Sequence, residues 1–207
     1  MAELHVIGQL CSASGFSHSA LFCKFGLHTG GAWKVLSGLK EGQTQVDSPA
    51  VGEVAYFSHP IDLHFATRGL QGWPKLWVQV YHQDSFGRFE DRVSLMIMLR
   101  FYKLRNELVG YGFTHLPSTP GLHNIEVRPE HPQLTSSLWP QVVTWKPSGN
   151  LTDTISQHFL GGSHQLKNPE LVFSSTERYR LTTVTSGTVR ASLNIVTRNF
   201  DRFGIEC

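Results

Sequence analysis

The sequence predicts an all-β protein, an antiparallel sandwich of short strands, and three observations carry that expectation. First, apolar residues recur at every second position in separate runs: Leu21, Cys23, Phe25 and Leu27; Ile61, Leu63 and Phe65; Leu76, Val78 and Val80; Val189, Ala191, Leu193 and Ile195. Side chains alternate between the two faces of a strand, so each run describes a strand with one buried face. Second, turn-forming clusters separate the runs: Thr29-Gly30-Gly31, Gly72-Trp73-Pro74, Pro117-Ser118-Thr119-Pro120-Gly121 and Ser186-Gly187. Glycine and proline supply the backbone angles that tight turns need. Third, helical periodicity is confined to two places, so the strands pair chiefly with one another across packed sheets.

The elements follow in order. Residues 3–9 open as a strand, and a Ser/Gly-rich loop leads through Ala20 to the strand at 21–27. Residues 33–36 form a short third strand, and Glu41-Gly42-Gln43 and Asp47-Ser48-Pro49 bracket another short run. Two strands flank Gly72-Trp73-Pro74, and residues 108–116 alternate again with Tyr111 and Phe113 on one face. Residues 179–184 and 188–197 flank Ser186-Gly187 as a hairpin. One short helix is expected at 151–160, where Leu151, Ile155 and Phe159 fall on one side and Gly161-Gly162 ends it, capping an open end of the sandwich.

Two segments break the pattern. Residues 89–107 place Val93, Met96, Ile97, Leu99, Phe101 and Leu104 in helical register, yet carry Arg92, Arg100, Lys103 and Arg105. That is too charged for a membrane span of ~20 apolar residues. It reads as an insertion in a surface loop, with an amphipathic partner- or membrane-surface helix as the sharper alternative. Residues 128–143, with Pro129, Pro132 and Pro140, read as a flexible loop.

At 207 residues the expectation is a single domain spanning 1–207, able to bury a core without metal or disulfide staples. The net charge of +2 and scattered Lys and Arg predict no nucleic-acid surface and no general anionic-membrane surface. Cys11, Cys23 and Cys207 form no Cys-x-x-Cys pair, which fits reduced thiols. The start, Met-Ala-Glu-Leu-His-Val-Ile-Gly, lacks a basic region and a long apolar core, so the protein is expected to stay inside the cell. Asn150-Leu151-Thr152 is then a chance sequon, and neither Ala2 nor Cys207 sets up a lipid anchor.

Residues 58–110 bear most directly on chemistry. Strand, Gly/Pro turn, strand, Asp-containing loop and then a hydrophobic-Gly pair is the order in which a C2 sandwich builds its ion-binding end. Calcium needs several oxygen ligands from converging loops. Here His82 stands at the first ligand position, Asp84 at the second and Glu107 at the last, while Asp47, Asp62 and Asp153 are isolated. Imidazole is a poor calcium ligand, so calcium binding is not expected. None of the eleven histidines lies in a His-Glu-x-x-His motif; His64 and His82 could approach across neighbouring strands, but each is assigned to a surface or hydrogen-bonded core role ahead of metal binding. Gly-x-Ser-x-Gly and phosphate-loop motifs are missing, and Gly110-Tyr111-Gly112 lacks the rest of a dinucleotide fingerprint. Cys23 alternates with Leu21 and Phe25 and is assigned to packing rather than nucleophilic chemistry. Trp33, Trp73 and Trp77 are assigned to sandwich corners and sheet edges ahead of a binding surface. No catalytic, cofactor-binding or metal residue is expected.

The segments Glu3-Leu-His-Val-Ile-Gly-Gln9, Ser14-Gly-Phe16, Leu21-Phe-Cys-Lys-Phe-Gly-Leu-His-Thr-Gly30, Glu41-Gly-Gln-Thr-Gln-Val-Asp47, Ser58-His-Pro-Ile-Asp-Leu-His-Phe-Ala-Thr67, Gln71-Gly-Trp-Pro74, Gln83-Asp-Ser-Phe-Gly-Arg88, Gly110-Tyr-Gly-Phe113 and Arg198-Asn-Phe-Asp-Arg-Phe-Gly-Ile-Glu-Cys207 run from one end of the chain to the other. Together they resemble the B9 domain family. It implies a C2-like β-sandwich with no enzymatic activity and no cofactor. It also implies work at the cilium basal body and transition zone, in cytoplasm and cytoskeleton, within the tectonic-like (Meckel syndrome) complex that limits diffusion between ciliary and plasma membranes. Implied partners are B9 domain-containing protein 1 and the Meckel syndrome type 1 protein, with peripheral membrane contact alongside. Residues 89–107 and 128–143 depart from the family pattern as atypical insertions. The alternative function is a calcium-dependent phospholipid-binding C2 module.

Overall fold

The computed structural model describes residues 1–84, 105–126, 144–147, 166, 172 and 183–204. The expected helix at 151–160, the loop at 128–143, most of the 89–107 segment, and Asn150, Asp153 and Cys207 lie outside these residues.

Eleven strands form among the described residues: β1 (Ala2–Ser14), β2 (Leu21–His28), β3 (Trp33–Gly38), β4 (Glu41–Gln43), β5 (Ala55–Thr67), β6 (Lys75–Asp84), β7 (Arg105–His115), β8 (Gly121–Glu126), β9 (Trp145–Pro147), β10 (Thr183–Thr185) and β11 (Thr188–Arg198). They make two antiparallel sheets, a first of order β3-β5-β1-β11-β8 and a second of order β10-β9-β7-β6-β2-β4. The described chain is thus the expected all-β sandwich, with a 3-10 turn at Asp201–Phe203.

The alternating runs converge as their period requires. Leu4, Val6 and Leu10 of β1, Ile61, Leu63 and Phe65 of β5, and Leu193 and Ile195 of β11 face Cys23, Phe25 and Leu27 of β2, Leu76, Val78 and Val80 of β6, and Val109 of β7 in one core. Each fully buried aliphatic side chain contributes about 1.5–3 kcal/mol relative to exposure. A bulge at Cys11 shifts the register of β1 against both neighbours. It lets consecutive Ser12 and Ala13 both turn inward. Opposite it, Ser58 of β5 takes a positive φ of 45°.

Trp33 and Trp73 close one corner as T-shaped neighbours 5.3 Å apart, with Phe200 6.0 Å from Trp73. Each indole N–H donates to a carbonyl, Trp33 to Gln71 at 3.2 Å and Trp73 to Leu116 at 2.8 Å. The packing assignment for these two holds. Trp77 lies on the outer face of the second sheet, where its ring occupies the space beside Gly26 that a Cβ would need.

Two sequence expectations change. The hairpin about Ser186-Gly187 does not form, because β10 pairs with β9 in the second sheet while β11 pairs with β1 and β8 in the first. The chain passes between sheets at this dipeptide, held there by distant residues. Ser186 donates its backbone N–H to Thr144 at 3.1 Å and its hydroxyl to the Val109 carbonyl at 2.6 Å, and the Thr144 hydroxyl donates to Gly187. Second, Arg105, Asn106 and Glu107, grouped by sequence with the helical-register segment, open β7, where Asp84 pairs with Arg105 and His82 with Glu107.

Candidate functional site

The end of the sandwich that the sequence offers for ion binding is built from β2, β6 and β7. Antiparallel pairing sets His82 opposite Glu107, so two of the three sequence-placed positions do come together. Both are engaged in other bonds. His82 Nδ1 donates to the Ala20 carbonyl at 3.1 Å, and the His82 ring stacks on His18 at 4.3 Å. Glu107 pairs with Lys146 at 3.9 Å. Asp47 accepts the Tyr56 N–H at 2.7 Å and fastens the start of β5. Among the described residues, no group of three or more His, Cys, Asp or Glu converges in a way that could hold a metal ion.

The outer face of the second sheet is aromatic and covered by the chain itself. Phe22 stacks on Tyr81 at 5.2 Å, Tyr111 meets Trp145 at 5.3 Å, and Lys24 Nζ sits 5.0 Å over the Tyr81 ring. Leu166 and Val172 pack on the cluster of Leu108, Tyr111 and Trp145, and the Leu166 N–H donates to the Tyr111 hydroxyl at 3.0 Å. Burial pushes the Tyr111 and Tyr81 phenols above their ordinary value. Phe113 joins Tyr111 on this face as the alternation predicted.

The outer face of the first sheet is open. Register places Leu122, Asn194, Ile7 and Asp62 in one row across β8, β11, β1 and β5, with Val196, His5 and His64 in a second. Ile7, Leu122 and Val196 expose 41%, 67% and 46% of their surfaces, an unusual concentration of apolar area for the solvated side of a sheet. Around them stand Glu3, His5, Asp62, His64 and Arg198. His5 Nε2 lies 2.8 Å from Asp62 Oδ1, His64 Nε2 lies 3.5 Å from Glu3 Oε2, and Arg198 Nη1 lies 3.7 Å from the same Glu3 oxygen. His64 therefore neighbours His5, not His82: β5 and β6 belong to different sheets, a distinction that alternation within a strand cannot draw. The pattern Glu3-x-His5 and Asp62-x-His64 was the overlooked signal.

Cys23 points into the core, where burial pushes its thiol up to about 12 and removes it from nucleophilic chemistry at neutral pH.

Known proteins match this chain along its amino-acid sequence. The family described as "B9-C2: Ciliary basal body-associated, B9 protein" matches residues 4–196, from β1 to β11. This chain belongs to the B9 family. It is 51% identical over 206 residues to B9 domain-containing protein 2 of Danio rerio, covering 100% of this chain and 99% of the relative. To B9 domain-containing protein 2 of Homo sapiens it is 49% identical over 207 residues, 100% of both. B9 domain-containing protein 1 of Xenopus laevis is 28% identical over 204 residues, covering 97% of this chain and 87% of that protein. Several residues in the segments that carry the resemblance prove architectural: Gly30, Gly72, Trp73, Pro74 and Phe200 build the aromatic corner, and Phe16 packs against Gly187 at the other end. The open face draws on the segments beginning at Glu3 and Ser58.

Proposed function

We propose that this protein is a non-enzymatic scaffold component of the tectonic-like (Meckel syndrome) complex at the ciliary transition zone, supporting ciliogenesis and the diffusion barrier between ciliary and plasma membranes. Its partners on this reading are B9 domain-containing protein 1 and the Meckel syndrome type 1 protein. Its locations are the cytoplasm, the cytoskeleton, the cilium basal body and the transition zone. The observation that carries the reading is the similarity to B9 domain-containing protein 2 along the whole chain, within a family described as associated with the ciliary basal body. The architecture supports it physically. The side chains between the sheets are largely apolar, whereas exposed apolar residues gather on the outer face of the first sheet, where a protein partner gains from covering them.

The test is recovery of the tagged chain from ciliated cells, with fluorescence localisation. Co-purification with the two named partners and signal at the transition zone is expected. Ile7→Glu and Val196→Glu should lose the partners while keeping the thermal transition. A chain that localises away from the cilium, or that recovers neither partner, overturns the proposal. Calcium-linked binding to anionic vesicles, measured calorimetrically, would instead favour a phospholipid-binding module.

A further inference from the structure

The open face carries four side chains to which scaffolding gives no role. Glu3 and His5 stand two residues apart on β1, Asp62 and His64 two apart on β5, and the antiparallel register sets His5 directly opposite His64. Each carboxylate thus reaches diagonally to the histidine of the other strand, at 2.8 Å for Asp62 to His5 and 3.5 Å for Glu3 to His64. Between these contacts the two rings stack, with centroids 5.0 Å apart and planes 26° from parallel. The four residues form a local two-fold motif.

Its protonation follows from hydrogen-bond chemistry. An ionised carboxylate only accepts, so Asp62 fixes the proton of His5 on Nε2, and Glu3 favours the same tautomer in His64. In a neutral imidazole the lone pair then remains on Nδ1. Among the described residues neither Nδ1 is taken up by a hydrogen bond. A carboxylate accepting from one ring nitrogen while the other keeps its lone pair is the arrangement in which proteins hold borderline metal ions, because the carboxylate orients the ring and raises its basicity.

We infer that His5 and His64 form a cross-strand chelate for a divalent transition ion of the Zn²⁺ class, binding through Nδ1, with Asp62 and Glu3 as positioning residues. Imidazole nitrogen selects Zn²⁺, Ni²⁺ or Cu²⁺ over Ca²⁺ or Mg²⁺. Directly opposed residues hold their Cβ atoms about 4.5–5.5 Å apart. From there two imidazoles reach one ion at ~2.0–2.1 Å once the rings tilt out of their stack. The chelate uses two protein nitrogens, so it does not require the three converging groups that no described site offers. The ion's remaining positions face solvent. Arg198 Nη1 lies 3.7 Å from the Glu3 oxygen that faces His64.

The experiment titrates Zn²⁺ into the reduced full-length chain by calorimetry and follows the histidine ring nitrogens by NMR. One saturable site per chain is expected, with the Nδ1 resonances of His5 and His64 shifting. His5→Asn and His64→Asn should each weaken binding at least tenfold, Asp62→Asn about tenfold, and His82→Asn should leave it unchanged. The inference is overturned by a wild-type chain that takes no Zn²⁺, by undiminished binding in the His5→Asn/His64→Asn double variant, or by shifts at Nε2 in place of Nδ1. A thermal scan without Zn²⁺ checks that each variant folds. Should an Asn variant unfold, His5→Gln and His64→Gln serve in its place.

Discussion

Gly30 and Gly72 meet backbone to backbone: the Gly30 N–H donates to the Gly72 carbonyl at 2.8 Å, and a Cβ added to Gly72 would fall 2.4 Å from the Gly30 Cα. The contact joins the turn after β2 to the turn after β5 and seats the Trp33–Trp73 corner. Gly72 also holds a φ of +74°, a region that L side chains enter at a cost. Gly72→Ala is therefore expected to destabilise by about 1–3 kcal/mol through strain and collision together. Gly30→Ala should cost less, since only the collision applies. Urea unfolding of both single variants and the double checks this, and the double should fall short of the sum because the separation of the two turns that relieves one collision also relieves the other.

The passage between sheets predicts a second effect. Ser186→Ala removes the hydroxyl donor to the Val109 carbonyl and is expected to cost about 1 kcal/mol. Gly187→Ala should cost more, about 1–3 kcal/mol, because its Cβ would lie 2.4 Å from the Phe16 ring and 2.5 Å from the Ser14 carbonyl oxygen. Equal losses for the two variants in denaturant unfolding would contradict this ordering.

These two sites mark what the sequence could express. The strands at 21–27, 76–80 and 189–195 were legible because period-2 burial is a local property that each run displays by itself. Strand partnership is not local. Ser186-Gly187 has the composition of a hairpin turn, and nothing within ten residues reveals that Thr144 and Val109 hold it between two sheets. The open face shows the same limit. Both Glu3-x-His5 and Asp62-x-His64 stand in plain view, but their meeting depends on the β1–β5 register, set by a core pattern many residues long and by the bulge at Cys11. The covered aromatic face was half legible: Tyr111 and Phe113 declared a shared side, whereas the seal by Leu166 and Val172 comes from chain far along the sequence.

Cys23 predicts a pH effect whose sign can be worked out. Its thiol is raised from 9.0 to about 12 by burial, so between those values the unfolded chain loses a proton that the folded chain keeps. Stability from this site is complete below about pH 9 and declines as pH rises toward 12, by at most ~1.4 kcal/mol per pH unit. Unfolding midpoints measured from pH 8 to 11 should fall more steeply for the wild-type chain than for Cys23→Ala. Iodoacetamide at pH 8 should modify partly exposed Cys11 and spare Cys23 until the chain unfolds.

The pairing of Asp84 with Arg105 predicts that residues 85–104 are dispensable for folding. The segment leaves and re-enters the second sheet at directly opposed positions, so a two-residue Asn-Gly turn can close β6 to β7 in their present register. Shortening the loop lowers its closure entropy by about 2 kcal/mol on the logarithmic length law. The 85–104 deletion carrying that turn should melt at the same temperature as the full chain or a few degrees higher. Deleting 89–107 instead removes Glu107 from its place beside His82 and Lys146, shortens β7 and should lower the transition. Collapse of the fold in the 85–104 deletion would show that the segment contributes packing to the sandwich, and the insertion reading would fail.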